Sequence, residues 1–230
     1  MASEPPVLLV HGLATSAERT WREPGWIDLL SESGREVLAV DLLGHGSSPK
    51  PHDPAAYAQL EAHLAAQLPD GPVDAIGFSL GARTVLALAV EDPSRFGRIV
   101  LAGVGRNLFE RDEARGRAIA ESLAGKDDPD DREAAYFGRL ADSPEVDREA
   151  LVALLSRPEP APFTDEGLAR VTNEVLVVIG DRDFAGPADP LVERLPNARL
   201  KVLRNVDHFA TPNDFGFIDA ALGFLGASPV

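Results

Sequence analysis

One serine in this chain stands where a nucleophile would be built. Ser79 occupies Gly77-Phe78-Ser79-Leu80-Gly81, a G-x-S-x-G arrangement between an apolar run of strand character, VDAIG at 73 to 77, and a helical run that starts at Leu80. A turn that sharp strains the serine backbone and projects the hydroxyl away from the sheet, and small residues two places either side let strand and helix approach closely. The pattern alone is weak evidence, because glycine and serine are common. Its place at a strand-turn-helix junction distinguishes it from an idle glycine-rich turn.

A serine hydroxyl is a poor nucleophile at neutral pH and needs a base, which in turn needs a group to fix its tautomer. His208, in NVDHFATPND, falls after the last strand-like run and before the final helical run, at the carboxyl edge of a sheet where such sites collect. The other histidines have weaker claims. His11 and His45 flank glycines in turns, His52 lies in a Pro-containing loop and His63 in a polar helix. Gly180-Asp181-Arg182-Asp183 places two acids directly after the apolar run VLVVIG, and on location alone either carboxylate could orient the base. The loop Gly103-Val104-Gly105-Arg106-Asn107 after the preceding run offers no acid near the strand end. Attack on a carbonyl also requires donors where the oxyanion forms. The tight bend at His11-Gly12-Leu13-Ala14 would turn the Leu13 N–H inward, and the Leu80 N–H at a helix start, aided by the helix dipole, would be the second donor.

These groups need elements to carry them. Val/Ile/Leu-rich runs recur at 7 to 10, 37 to 40, 73 to 77, 98 to 103, 175 to 180 and 200 to 205, and each reads as a buried strand. Helical stretches fall between most of them: WIDLLSES, AYAQLEAHLAAQL, LGARTVLALAVED and PADPLVERL, with DFGFIDAALGFL after the last. Such alternation implies an α/β fold, a mostly parallel sheet of about six strands with helices on both faces. The alternation breaks once. The interval 106 to 170 is charged, contains the helical stretches DEARGRAIAESLAG and EVDREALVALLS and the breaker RPEPAPF, and reads as an insertion between core segments 1 to 105 and 171 to 230. The acidic KDDPDD inside it reads as a solvated turn and not a metal loop.

Composition narrows the class of partner. With 230 residues, 44% hydrophobic and 26% charged, the chain suits one soluble domain. A formal charge of -15 opposes any sequence-blind hold on nucleic acid, which relies on Lys and Arg. The absence of cysteine removes disulfides, thiolate nucleophiles and Cys-bound metals. MASEPP leads straight into VLLV without a signal-peptide pattern, and no apolar stretch is of bilayer length, so a soluble, cytoplasmic protein without membrane, cofactor or metal is expected. Nothing in the sequence speaks to oligomeric state.

Taken together, the chain resembles the α/β-hydrolase fold family from Val7 to its last helix. The resemblance rests on the HG turn at His11 and Gly12, a D-x-x-G-x-G-x-S pattern at Asp41, Gly44, Gly46 and Ser48, the turn around Ser79, G-x-x-D at Gly180 and Asp183, and the late His208. It implies the chain order Ser, Asp, His and assigns the acid to Asp183 over Asp181. It also implies a helical cap over the site from the 106 to 170 interval, and the apolar Leu108, Phe109, Tyr136, Phe137, Leu154 and Phe163, clustered in that otherwise charged interval, are expected to include its walls. One departure stands out: the first strand matches the family's third, so the two leading antiparallel strands are missing. The Asp41 pattern is expected to form a turn beneath the site that does not touch substrate.

Serine at this turn, where dehalogenases and epoxide hydrolases of similar fold carry Asp, points to an acyl-enzyme and a small-molecule acyl substrate. Carboxylic ester hydrolysis is the expectation. A lactonase, thioesterase, carbon-carbon bond hydrolase or cofactor-free perhydrolase would use the same set, and a ligand-binding receptor on the same fold would need less than the full set.

Overall fold

The computed structural model describes residues 4–126, 128, 130–158 and 163–227. Among these, β1 (Val7–Val10), β2 (Val37–Val40), β3 (Val73–Phe78), β4 (Phe96–Ala102), β5 (Val175–Gly180) and β6 (Ala198–Leu203) form one sheet in the order β2-β1-β3-β4-β5-β6. Every pairing is parallel, and no antiparallel strand precedes β1 among the described residues. The chain leaves β1 toward β2 and returns to the other side of β1 with β3. The order therefore reverses at β1 and β3, whose carboxyl ends open a crevice.

Residues alternate between the two faces, as the two-residue period of a strand requires. Leu8, Val10, Ala75, Ile99, Leu101, Val175 and Val177 join one apolar cluster; Val7, Leu9, Ile76, Val100, Leu176 and Val178 join the other. Helix α1 (Trp26–Glu32) and the C-terminal helix supply Trp26, Leu30, Phe217 and Leu222 to the second cluster. Helices α2 (Leu60–Ala65) and α3 (Leu80–Glu91) supply Leu60, Leu64, Val85 and Leu86 to the first.

The expectation of six buried strands holds for the four inner ones and fails at the edges. β2 is half-buried throughout, and β6 exposes Arg199, Lys201 and Val202. An edge strand has a neighbour on one side only, and short or charged edges discourage further pairing. β4 also starts earlier, at Phe96, and β6 ends earlier, at Leu203, than their apolar runs suggest. The helix expected across AYAQLEAHLAAQL is split into a 3-10 turn at Pro54–Tyr57 and α2, with the buried Tyr57 donating its hydroxyl to the Pro51 carbonyl.

Between β4 and β5 lie α4 (Glu113–Leu123), α5 (Arg132–Leu140), α6 (Arg148–Leu155) and α7 (Asp165–Ala169). The side chains of Asp112, Asp131, Asp147 and Thr164 accept a backbone N–H at their respective starts, which satisfies donors the helix leaves open. Leu123, Phe137, Ala141 and Leu151 from α4 to α6 pack on Ala14 of the turn after β1, so these helices lie over the carboxyl end of the sheet. Leu108, Leu154 and Leu168 instead join the cluster beneath the sheet. Parts of two sequence features, Asp127 and Pro129 of KDDPDD and 159–162 of RPEPAPF, lie outside the described residues. Helices α8 (Asp189–Val192), shorter than PADPLVERL suggests, and α9 (Phe215–Leu225) complete the chain.

Candidate active site

Ser79 follows β3 with φ 53 and ψ -113, a left-handed conformation rarely held by a side-chain-bearing residue. The flanking glycines explain how the turn closes. A Cβ on Gly81 would lie 2.2 Å from the Val10 carbonyl oxygen, and one on Gly77 would lie 2.7 Å from the Ala82 Cα. Only hydrogen fits at either place, so the sequence spacing is a steric requirement.

His208 and Asp183 arrive from the loops after β6 and β5. His208 Nε2 lies 2.9 Å from Ser79 Oγ, and its Nδ1 lies 3.0 Å from both carboxylate oxygens of Asp183. A carboxylate only accepts, so Nδ1 carries the proton and Nε2 is left with a lone pair toward the serine hydroxyl. Both side chains are almost wholly buried. The Ala185 N–H donates to Asp183 Oδ1 as well, fixing the carboxylate. Asp181 does something else: its Oδ1 accepts the Asn205 N–H and ties the loop after β5 to that after β6. The structure therefore brings Ser79, His208 and Asp183 together and leaves Asp181 outside.

Leu13 and Ser79 border the same cavity, of about 300 Å³, and Leu80 opens α3, where the first N–H groups have no partner within the helix. Tyr136, Phe137 and Leu140 of α5 form its far wall. Of the six apolar residues expected as walls, Tyr136 and Phe137 line this cavity. Leu108, Phe109, Leu154 and Phe163 pack on the main core instead, because their segments run down to the sheet and do not cross the site.

Sequence reasoning missed the aromatic packing around the histidine. Phe78 and Phe184 pack on His208 at ring-centroid distances of 4.9 and 4.3 Å, and Phe209 stacks on Tyr136 at 3.8 Å. The signal was present: Phe78, Phe184 and Phe209 each adjoin one member of the Ser79, Asp183, His208 set in sequence. Behind Phe184 the Arg115 guanidinium lies 5.1 Å from its ring centre and 2.8 Å from Glu133. Burial raises the Glu133 carboxyl above its ordinary value, with Arg115 opposing. Arg19 and Glu23, from the π-helical turn Glu18–Arg22 and its cap, bring charge to the cavity rim. Arg19 reaches Ser143, and Glu145 at 3.4 Å.

Asp41 stands at a separate hollow and does not line the Ser79 cavity. Its Oδ1 accepts the Ala17 N–H at 2.8 Å and its Oδ2 accepts from the Ser47 N–H and hydroxyl. Although burial pushes its carboxyl up, these hydrogen bonds outweigh that and hold it below the ordinary value. The Ser48 hydroxyl donates to the Asp41 carbonyl, so the pattern at 41 to 48 ties two loops together. No cluster of three or more metal-ligating side chains occurs among the described residues, and no helix there is long and apolar enough to cross a membrane.

A model described as the alpha/beta hydrolase family matches residues 7–220. Among known proteins, 2-hydroxy-6-oxononadienedioate/2-hydroxy-6-oxononatrienedioate hydrolase 1 of Dechloromonas aromatica (strain RCB) is 26% identical over 242 residues, spanning 89% of this chain and 80% of that protein. A bromoperoxidase from Bacillus anthracis superposes with a TM-score of 0.72 at 21% identity, covering 97% of this chain and 92% of its own. The enol-lactonase from Burkholderia xenovorans LB400 does so at 0.71 and 22%, covering 98% and 92%. At such identities the two structures speak to the fold.

Proposed function

The chain belongs to the alpha/beta hydrolase family, and we propose that within it the protein is a serine hydrolase of small carboxylic esters acting through Ser79, His208 and Asp183. Ser79 Oγ attacks the acyl carbon and passes its proton to His208 Nε2, while the Leu13 and Leu80 N–H groups receive the oxyanion. Collapse of the tetrahedral species breaks the ester C–O bond, and the leaving alcohol takes the proton from Nε2. Water, deprotonated by the same nitrogen, then releases the acid and restores Ser79. Asp183 keeps Nδ1 protonated and steadies the imidazolium throughout.

The observation that carries this reading is the uninterrupted series of contacts, Ser79 Oγ to His208 Nε2 at 2.9 Å and Nδ1 to Asp183 at 3.0 Å, beside a partly apolar cavity. The α5 wall supports the reading of the 106 to 170 interval as a cap. Carbon-carbon bond cleavage is a second reading, because the Dechloromonas relative is named for a dioate, a substrate with two carboxylates. Against it, Arg19 is the sole Lys or Arg among the residues lining this cavity, Glu23 lines it too, and Arg19 already pairs with Glu145. Two anionic groups would find little compensation there, which favours an uncharged ester.

A fluorophosphonate probe should label Ser79 alone, and Ser79→Ala should abolish labelling and lower turnover of 4-nitrophenyl acetate by about 10⁴-fold or more. Labelling elsewhere, or retention of most activity, overturns the assignment. A panel of neutral esters, lactones, thioesters and dienoates then ranks the substrate classes.

A further inference from the structure

His11 and His45 flank glycines in turns of the sequence, yet both are buried, at 0% and 2% exposed, with ring centroids 5.0 Å apart. Each ring reaches the other's loop. His11, after β1, accepts the Leu42 N–H at Nε2 (3.1 Å) and donates Nδ1–H to the Gly12 carbonyl (2.7 Å). His45, after β2, accepts the Ala14 N–H at Nε2 (3.1 Å) and donates Nδ1–H to the Leu43 carbonyl (3.2 Å). A carbonyl can only accept and an amide N–H can only donate, so all four contacts require the neutral ring with the proton on Nδ1. A protonated ring would set N–H against N–H, offset at His11 only in part by the Asp41 carboxylate 3.5 Å from Nε2.

The segment gripped this way is 11 to 14, and Leu13 sits within it. Ala14, the neighbour bonded by His45, has φ 59, a left-handed conformation at a residue other than glycine. Such a backbone persists only where its surroundings over-determine it. The Ala14 N–H bond to His45 and the packing of Ala14 under α4 to α6 do so.

We propose that His11 and His45 are positioning residues, a reciprocal brace that holds the Leu13 N–H ready for the oxyanion. Neither ring borders the Ser79 cavity, so they act through the backbone. The inference rests on the reading of the site as a serine hydrolase, because only there does the Leu13 N–H have a charge to meet.

The test compares His45→Gln, whose amide oxygen can stand in for the Nε2 acceptor, with His45→Leu, which fills space without one. With 4-nitrophenyl acetate, His45→Leu should lose roughly tenfold to hundredfold in kcat with KM little changed, below the cost of deleting an oxyanion donor outright. His45→Gln should recover most of that loss. Affinity for a trifluoromethyl ketone, which forms a tetrahedral adduct on Ser79, should fall in parallel with kcat, and affinity for the product acid should not. Equal kcat in the two variants, or parallel loss of kcat, KM and product affinity, overturns the proposal.

A second measurement does not depend on either variant folding. Histidine ¹⁵N spectra of the wild-type protein at neutral pH should show Nδ1 protonated and Nε2 bare in both rings, and an Nε2-protonated form in either overturns the brace. Wild-type protein that neither turns over the ester nor takes the fluorophosphonate defeats the hydrolase reading instead, and the spectra remain informative about the brace.

Discussion

At the amino end of the central strands Asp74, at the start of β3, meets Arg35 at 2.6 Å and accepts the Arg98 N–H at 2.6 Å, with both charged side chains almost fully buried. Arg35 also donates to the carbonyls of Leu225 and Pro5, sewing the end of α9 and the entry to β1 onto the sheet. At the carboxyl end Asp183 faces His208, and the series ends in a hydroxyl at a cavity. Both ends bury a carboxylate against a basic side chain. At the first, the partner is a guanidinium that keeps its charge, and its other contacts are two backbone carbonyls and the Glu4 carboxylate at 3.7 Å. At the second, the partner is an imidazole that can gain and lose a proton, and its far nitrogen faces a group able to supply one. At the first end the proton has nowhere to go; at the second it has, which is what the proposed triad requires.

Removing the carboxylate should separate the two ends. Asp183→Asn leaves His208 free to take the wrong tautomer, and turnover should fall by about 10⁴-fold while the protein stays folded. Asp181→Asn removes a charge but keeps an oxygen able to accept the Asn205 N–H, and should cost far less. Steady-state kinetics on both variants, with circular dichroism as the check on folding, decides this, and the reverse ranking would reassign the acid.

Asp74→Ala should do the opposite. It removes the buried counter-charge of Arg35 and leaves only the exposed Glu4 carboxylate, 3.7 Å away, a loss of up to about 3–5 kcal/mol in unfolding free energy, while kcat of the folded fraction stays near wild type. Urea unfolding with active-site titration separates the two quantities. A kcat loss at equal folded fraction would mean that the ends of the sheet are coupled.

Acid should weaken the carboxyl end through the braced histidines. Burial holds His11 below its ordinary 6.5 and, with the neighbouring His11 ring next in importance, takes His45 to about 3. Between those values the unfolded chain binds more protons than the native one, so stability falls as pH is lowered from 6.5 toward 3 and is fully present above 6.5. Urea midpoints across that range should show the slope, and His45→Gln should flatten it.

The smallest effect is expected at His52, exposed and 2.9 Å from Asp147 at the start of α6. Hydrogen bonding to Asp147 raises the His52 value, and the same bond lowers that of Asp147. The histidine's contribution is present below its ordinary 6.5 and lost as pH rises through its raised value; the carboxylate's is present above 3.8 and lost on acidification below that. Thermal unfolding of His52→Ala at mildly acidic pH should differ little from wild type, and less still at high salt.

The sequence by itself determined what is local. Apolar runs rich in Val, Ile and Leu specified the strands, and Gly77 and Gly81 specified the turn at Ser79, because each requirement is met within a few neighbouring residues. The position of His208 after the last strand and of Asp183 after β5 was legible for a related reason: parallel strands deliver all their carboxyl ends to one edge. Tertiary structure decided what depends on segments far apart in the chain. The choice of Asp183 over Asp181 as contact is made by the direction of the loop after β5. Tyr136 and Phe137 rather than Phe109 and Phe163 became walls because of how α5 crosses the sheet edge. His11 and His45 became a brace because β1 and β2 are neighbours in the sheet, which puts each imidazole against an amide 31 residues away. A residue's type says which bonds it can make, and only the packing of distant strands says which partner is within 3 Å.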